Sequence, residues 1–233
     1  MISRKLAELH KRTIVARTVP FAVFVGFLIL GSMGSAWLEG AAAAIARDWL
    51  AVIRGGVVAT VLVLLWPAYA ELHKPSSVSS FHWATGIVAG LAVFMIWIAL
   101  GQPVATASHE GRFVPLLADG GIDWLKALPR LAGLALVVPV MEELFWRSLV
   151  LRRIDQHEFL ALDPRLVGFR AFVITTILFA VEHDMWLAGA IAGATYNALY
   201  MYSRNLWVPV VAHAVTNGAL GVWILWTRNW SFW

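Results

Sequence analysis

Seven stretches of this chain are almost wholly apolar: about 18–37, 50–70, 81–101, 127–151, 167–183, 186–202 and 206–227. A membrane-crossing helix needs about 20 consecutive, mostly apolar residues. The pattern therefore predicts an all-α polytopic membrane protein, a bundle of about seven transmembrane helices, with six to eight as the range. Short polar links join most runs, such as H-K-P-S-S-V-S-S after the second. The link at 102–124 is longer and holds Glu110, Asp119 and Asp123, and the link at 152–170 is rich in arginine. Gly86/Gly90 and Gly189/Gly193 form small-xxx-small pairs, which let helices approach closely.

Residues 1–17 read as a basic amphipathic segment lying on an anionic leaflet. They are too long and too charged for the n-region of a cleaved signal peptide. Residues 18–233 read as one transmembrane domain. Lysine and arginine fix the orientation. With the N-terminus inside, eleven basic residues fall on inner segments (Arg4, Lys5, Lys11, Arg12, Arg17, Lys74, Arg152, Arg153, Arg165, Arg170, Arg204) and six on outer ones (Arg47, Arg54, Arg112, Lys126, Arg130, Arg228), with Arg147 inside a run. The predicted arrangement is N-terminus in, C-terminus out. Many of the 13 tryptophans, Trp37, Trp49, Trp83, Trp124, Trp207, Trp226 and Trp230 among them, lie near run ends, where an interfacial belt belongs.

Composition agrees with this picture. Of 233 residues, 60% are hydrophobic, against nearer half in a soluble domain. The net charge of +4 points to membrane lipid and not to nucleic acid, because no basic domain lies outside the apolar runs. With no cysteine, disulfides, thiolate metal sites and cysteine nucleophiles are all excluded.

The informative residues are the polar ones inside apolar runs. Ionisable groups at such positions are costly, so they pair or line a wet cavity. In V-P-V-M-E-E-L-F-W-R, Glu143 and Arg147 are four apart on one helix face and can form an ion pair. Glu142 points about 100° away from Glu143 and is left to do something else. Pro139, one turn earlier, removes a backbone donor. F-A-V-E-H-D supplies Glu182, His183 and Asp184, and H-A-V-T-N supplies His213 and Asn217 on one face. For Glu142 and His183 to meet, the fifth and sixth runs must form a pair that turns within the membrane, with E-H-D-M-W lining a cavity.

A carboxylate, two imidazoles and a carboxamide suit water activation with stabilisation of a tetrahedral oxyanion. Zinc bound by Glu142, His183 and His213 is the rival reading. H-E-x-x-H is absent. A non-catalytic scaffold whose polar clusters only tie helices together, and a transporter, are the alternatives from other classes. The transporter lacks the paired broken helices that inverted repeats show.

These motifs carry a resemblance. E-E-L-F-W-R (142–147) resembles the E-E-x-x-x-R motif of the type II CAAX prenyl protease and bacteriocin-processing family, also called CPBP or Abi. F-A-V-E-H (179–183) and H-A-V-T-N (213–217) resemble its F-x-x-x-H and H-x-x-x-N/D motifs, in the same order, over about residues 125–220. The resemblance implies a glutamic-type intramembrane endopeptidase. It implies that Glu142 activates water with His183, that His213 and Asn217 hold the oxyanion, and that Glu143 and Arg147 support the site. It implies no cofactor, with zinc as runner-up. The implied substrate is a protein or peptide with a membrane-associated C-terminal segment, and the implied location is the bacterial inner membrane. The segment 202–223 and the tail R-N-W-S-F-W further resemble the CAAX protease-related proteins that accompany exosortase sorting systems.

Overall fold

The computed structural model describes residues 2–37, 40–73, 75, 78–101 and 113–233, with the side chains of 2–11, 32 and 34–47 excepted. The side chains of Arg4, Lys5, Lys11 and Arg47, and the residues Lys74, Glu110 and Arg112, on which part of the charge argument rests, lie outside that description. Seven long helices form the described chain. They are α1 (Ile2–Trp37), α2 (Gly40–Leu64), α3 (Ser80–Leu100), α4 (124–153), α5 (Phe169–Val181), α6 (Trp186–Ser203) and α7 (Trp207–Thr227). The described residues contain no strand, only an isolated bridge between Leu116 and Ile122. Among the described residues three helical stretches, against about seven spans expected, are long and apolar enough to cross a membrane: Arg12–Gly31, Ser80–Leu100 and Trp207–Thr227.

The helices follow the seven apolar runs, with two informative differences. The backbone of residues 2–17 simply begins α1, so no break marks position 17. The second run is displaced: α2 starts at Gly40 and stops at Leu64 instead of spanning 50–70. A-A-A-A-I-A-R-D-W is polar at its end but rich in alanine, the strongest helix former. Pro67 cannot continue a helix, and the chain passes into short 3-10 turns at Trp66–Ala68 and Ala70–Leu72.

Close approach is bought by glycine. A Cβ on Gly90 would sit 2.3 Å from the Ala212 carbonyl oxygen, and one on Gly86 would sit 3.0 Å from that of Val208, so α3 lies backbone-to-backbone on α7. The Thr216 hydroxyl donates across this seam to the Gly90 carbonyl at 2.9 Å. Gly189 and Gly193 do the same for α5 and α6, where added Cβ atoms would meet His183 Cβ at 3.2 Å and the Phe179 ring at 3.1 Å. α5 has 13 residues, about 20 Å, which is short of a bilayer core of about 30 Å. It turns at residues 182–185 directly into α6. This is the hairpin required to bring His183 back towards Glu142.

α4 is not a uniform helix. π turns at Gly133–Val137 and Leu144–Leu151 flank the α-helical segment Val138–Glu143. Such turns insert an extra residue per turn and concentrate at functional sites. The first has a local cause. Val138 donates to the Gly133 carbonyl, and Pro139 has no N–H to offer.

A buried polar knot joins α1, α4 and α6 to the link after α2. Glu71, in the 3-10 link after α2, accepts from Arg17 of α1, from Ser148 and Arg152 of α4, and from Tyr200 of α6. Arg17 is fully buried, and its Nε also donates to the Ser148 hydroxyl at 2.7 Å.

Candidate active site

The three polar motifs meet on a cavity of about 460 Å³. α4 contributes Glu142, the α5–α6 turn contributes Glu182 and His183, and α7 contributes His213 and Asn217. Much of the remaining lining is apolar and comes from Phe21, Phe24, Val25 and Leu28 of α1 and from Phe232 and Trp233 of the C-terminal segment.

The adjacent glutamates have separate environments. Glu143 is fully buried, and its Oε1 accepts from Arg147 Nη1 at 3.1 Å and lies 2.9 Å from His213 Nδ1. Arg147 is also fully buried. Its Nη2 donates to the Gly193 carbonyl of α6 at 3.3 Å, and its guanidinium lies over the Phe179 ring at 4.3 Å. The predicted i,i+4 pair therefore exists and is extended by a histidine from α7. Glu142 is 7% exposed, and its Oε2 has no hydrogen-bond partner. It faces the cavity without a compensating cation of its own.

Both histidines have Nδ1 occupied. His183 Nδ1 lies 2.7 Å from the Phe179 carbonyl, which can only accept, so Nδ1 carries the proton. His213 Nδ1 is held by Glu143, and the ring stacks on Tyr196 with centroids 5.0 Å apart. In each case Nε2 is the nitrogen left for other work. Nε2 of His213 lies 4.0 Å from Glu142 Oε2. Asn217 lines the cavity and donates through Nδ2 to the Leu134 carbonyl at 3.0 Å. The first π turn and Pro139 leave that carbonyl open to accept.

Glu182 belongs to this cluster, although its motif was selected for the histidine. It accepts from Trp146 Nε1 at 3.0 Å. Ligand atoms of Glu142, Glu182 and His183 all lie within 4.8 Å of one another. Among the described residues this is the group spaced to hold a metal ion; it contains Glu142 and His183 of the expected alternative ligand set, with Glu182 beside them. Glu182 is legible only as the neighbour of His183 in sequence, since the side it faces depends on the turn that ends α5. Tyr196 also escaped sequence reading, because an aromatic residue in an apolar helix carries no local signal of what it stacks on.

Residues 124–219 match the family described as "Type II CAAX prenyl endopeptidase Rce1-like". All three motifs lie inside the match, and the first 123 residues lie outside it. No curated protein and no solved structure shows significant similarity to this chain.

Proposed function

We propose that the protein is an integral membrane endopeptidase of the CAAX protease type, in which Glu142 activates the attacking water. The observation that carries this reading is the contrast between neighbours. Glu143 is neutralised by Arg147 and held by His213, whereas Glu142 is buried, has no hydrogen-bond partner at Oε2 and lines a cavity with His183. The match over residues 124–219 supports a peptidase of this kind.

In the proposed reaction Glu142 takes a proton from a water that is also oriented by Nε2 of His183. The oxygen attacks the peptide carbonyl carbon. The carbonyl oxygen becomes an oxyanion, which His213 and Asn217 stabilise. His213 donates from Nε2 when its ring carries the second proton, and Asn217 has an amide hydrogen beyond the one given to Leu134. Glu142 then returns the proton to the leaving nitrogen as the C–N bond breaks. Oxyanion donors of this kind contribute about 10²–10³ in rate. Glu143 and Arg147 position His213 and do not touch substrate.

A second reading has an observation of its own. Glu142, Glu182 and His183 supply two oxygens and a nitrogen at metal-binding spacing. Three N/O ligands with an open position suit a catalytic zinc, which would lower the pKa of a bound water. Glu142 would then be a ligand and not the base.

The substrate is a protein or peptide with a membrane-associated C-terminal segment, processed in a bacterial inner membrane with the N-terminus of the enzyme cytoplasmic, in partnership with an exosortase-type sorting system. The test is cleavage of synthetic apolar C-terminal segments by purified protein in detergent, wild type beside Glu142→Gln and Glu182→Gln, each with and without a zinc chelator. Cleavage that needs Glu142 and ignores chelator supports the glutamate-activated water. Cleavage lost on chelation and restored by zinc, with Glu182→Gln as defective as Glu142→Gln, supports the metal reading. Cleavage unchanged in Glu142→Gln sinks both.

A further inference from the structure

Arg130 lies on the same cavity as Glu142, nearer the start of α4. It is partly buried, its Nε is buried without a hydrogen-bond partner, and among the described residues its guanidinium meets the face of Phe113 at 5.4 Å. Arg130 and Arg54 of α2 together border a separate small gap beside Gly133. Arg54 is buried, with its guanidinium over Phe24 at 4.4 Å. Neither arginine has a carboxylate within ion-pairing distance among the described residues. Asp48 of α2 and Asp123, just before α4, are committed to Lys126 at 3.2 and 3.6 Å.

Two guanidinium groups removed from water with no counterion are costly, and the ring faces return only about 0.5–2 kcal/mol each. Among the described residues the other buried arginines, Arg17, Arg147 and Arg152, all have a glutamate. Arg130 and Arg54 are exceptions, and Arg130 opens into the cavity where the substrate would lie. The π turn puts it there. In an unbroken α-helix Glu142 would sit about 120° round the axis from Arg130. Absorbing one residue in the turn Gly133–Val137 reduces this to about 20°.

Resting on the peptidase reading above, we infer that Arg130, backed by Arg54, binds the free C-terminal α-carboxylate of the substrate peptide and so measures the cleavage position from the chain end. A carboxylate matches the forked donors of arginine in geometry and charge. The twelve residues from Arg130 to Glu142 amount to about 16–18 Å of helix, and an extended peptide covers about 3.3 Å per residue. Allowing for the reach of the two side chains, the released fragment is about three to five residues long.

Binding separates this inference from the catalytic one. The probe is a fluorescein-labelled apolar heptapeptide with a C-terminal α-carboxylate, beside the same peptide as a carboxamide. Each is titrated by anisotropy against detergent-purified Glu142→Gln protein with Arg130, Arg130→Lys or Arg130→Gln. The carboxylate peptide is expected to bind at least about tenfold more tightly than the carboxamide, as one charge-assisted pair would give. Arg130→Gln should abolish the difference, and Arg130→Lys should keep part of it, with all three forms eluting as the same folded species. No discrimination by the parent protein, or discrimination surviving Arg130→Gln, overturns the inference. A control arm adds phosphatidylglycerol to the micelles: Arg130-dependent binding of that lipid, without discrimination between the peptides, assigns the anion to a headgroup and overturns it as well. Discriminating binding with no cleavage of the carboxylate peptide by wild type would count against the peptidase and leave the carboxylate subsite standing.

Discussion

His213 Nδ1 lies 2.9 Å from Glu143 Oε1, joining two residues seventy positions apart on α7 and α4. Because Arg147 holds the same oxygen at 3.1 Å, one buried carboxylate fixes both an arginine and an imidazole. The consequence is a division of labour between adjacent glutamates: Glu143 sets geometry and Glu142 is left for chemistry.

That division predicts different outcomes for the two glutamine variants. Glu143→Gln leaves Arg147 buried beside a neutral group, and breaking such a pair costs about 3–5 kcal/mol. Thermal unfolding in detergent should show a marked loss of stability together with loss of cleavage. Glu142→Gln should unfold within a few degrees of wild type while cleavage falls at least about 100-fold. Equal destabilisation by both variants would contradict the assignment.

His183→Ala should behave like Glu142→Gln rather than like Glu143→Gln. Its ring contacts are with Trp97 and Phe179 at 5.5 and 4.7 Å, and its one hydrogen bond, through Nδ1, is to the Phe179 carbonyl. A cleavage assay and an unfolding curve on the same preparation check this, with activity lost at least about 100-fold and stability lowered by no more than about 2 kcal/mol.

Gly90→Ala is expected to disrupt the α3–α7 seam. Its Cβ would sit 2.3 Å from the Ala212 carbonyl oxygen, a backbone atom that cannot swing aside. Overpacking of this kind costs about 1–3 kcal/mol. Gly26→Ala, where nothing lies within 4 Å, is the matched control and should change stability by less than about 0.5 kcal/mol. Comparable unfolding temperatures for the two variants would show that the seam tolerates a Cβ.

Glu71 gives the bundle an acid-sensitive clamp. Burial alone would raise its carboxyl pKa, but the Coulombic pull of Arg17 and Arg152, with hydrogen bonds from Arg17 and Ser148, outweighs burial and holds it below the ordinary carboxylate value. A carboxyl depressed on folding contributes stability above its unfolded pKa and loses it as pH falls through the folded one. Stability should therefore be full at neutral pH and decline below the ordinary carboxylate range, about pH 4. Glu71→Gln should be less stable at pH 7 and lose much of this acid dependence, as followed by unfolding between pH 3 and 7. A wild-type profile flat over that range would remove the clamp from the account.

The helices and the motif residues were legible because their signals are local. Hydrophobic runs mark buried or lipid-facing helices at any position, and Glu143 with Arg147 is a one-turn relationship that helix geometry alone dictates. The small-xxx-small pairs likewise announced contacts, although not their partners. The shift of α2 was visible in principle, since alanine propensity before the run and Pro67 within it are both local.

The amino-acid sequence by itself determined an all-helical chain, the polar groups stranded in apolar surroundings, and the pairing of Glu143 with Arg147. Tertiary structure alone decided that His213 shares Glu143, that Glu182 stands beside Glu142 and His183, that Glu71 gathers Arg17 and Arg152, and that Arg130 and Glu142 line one cavity. The physical reason is range. Helix propensity and i,i+4 pairing act within a turn or two of backbone, whereas these contacts join distant helices through packing angles set by glycine seams, the α5–α6 turn and two π turns. A one-residue change in such a turn rotates every side chain beyond it by about 100°.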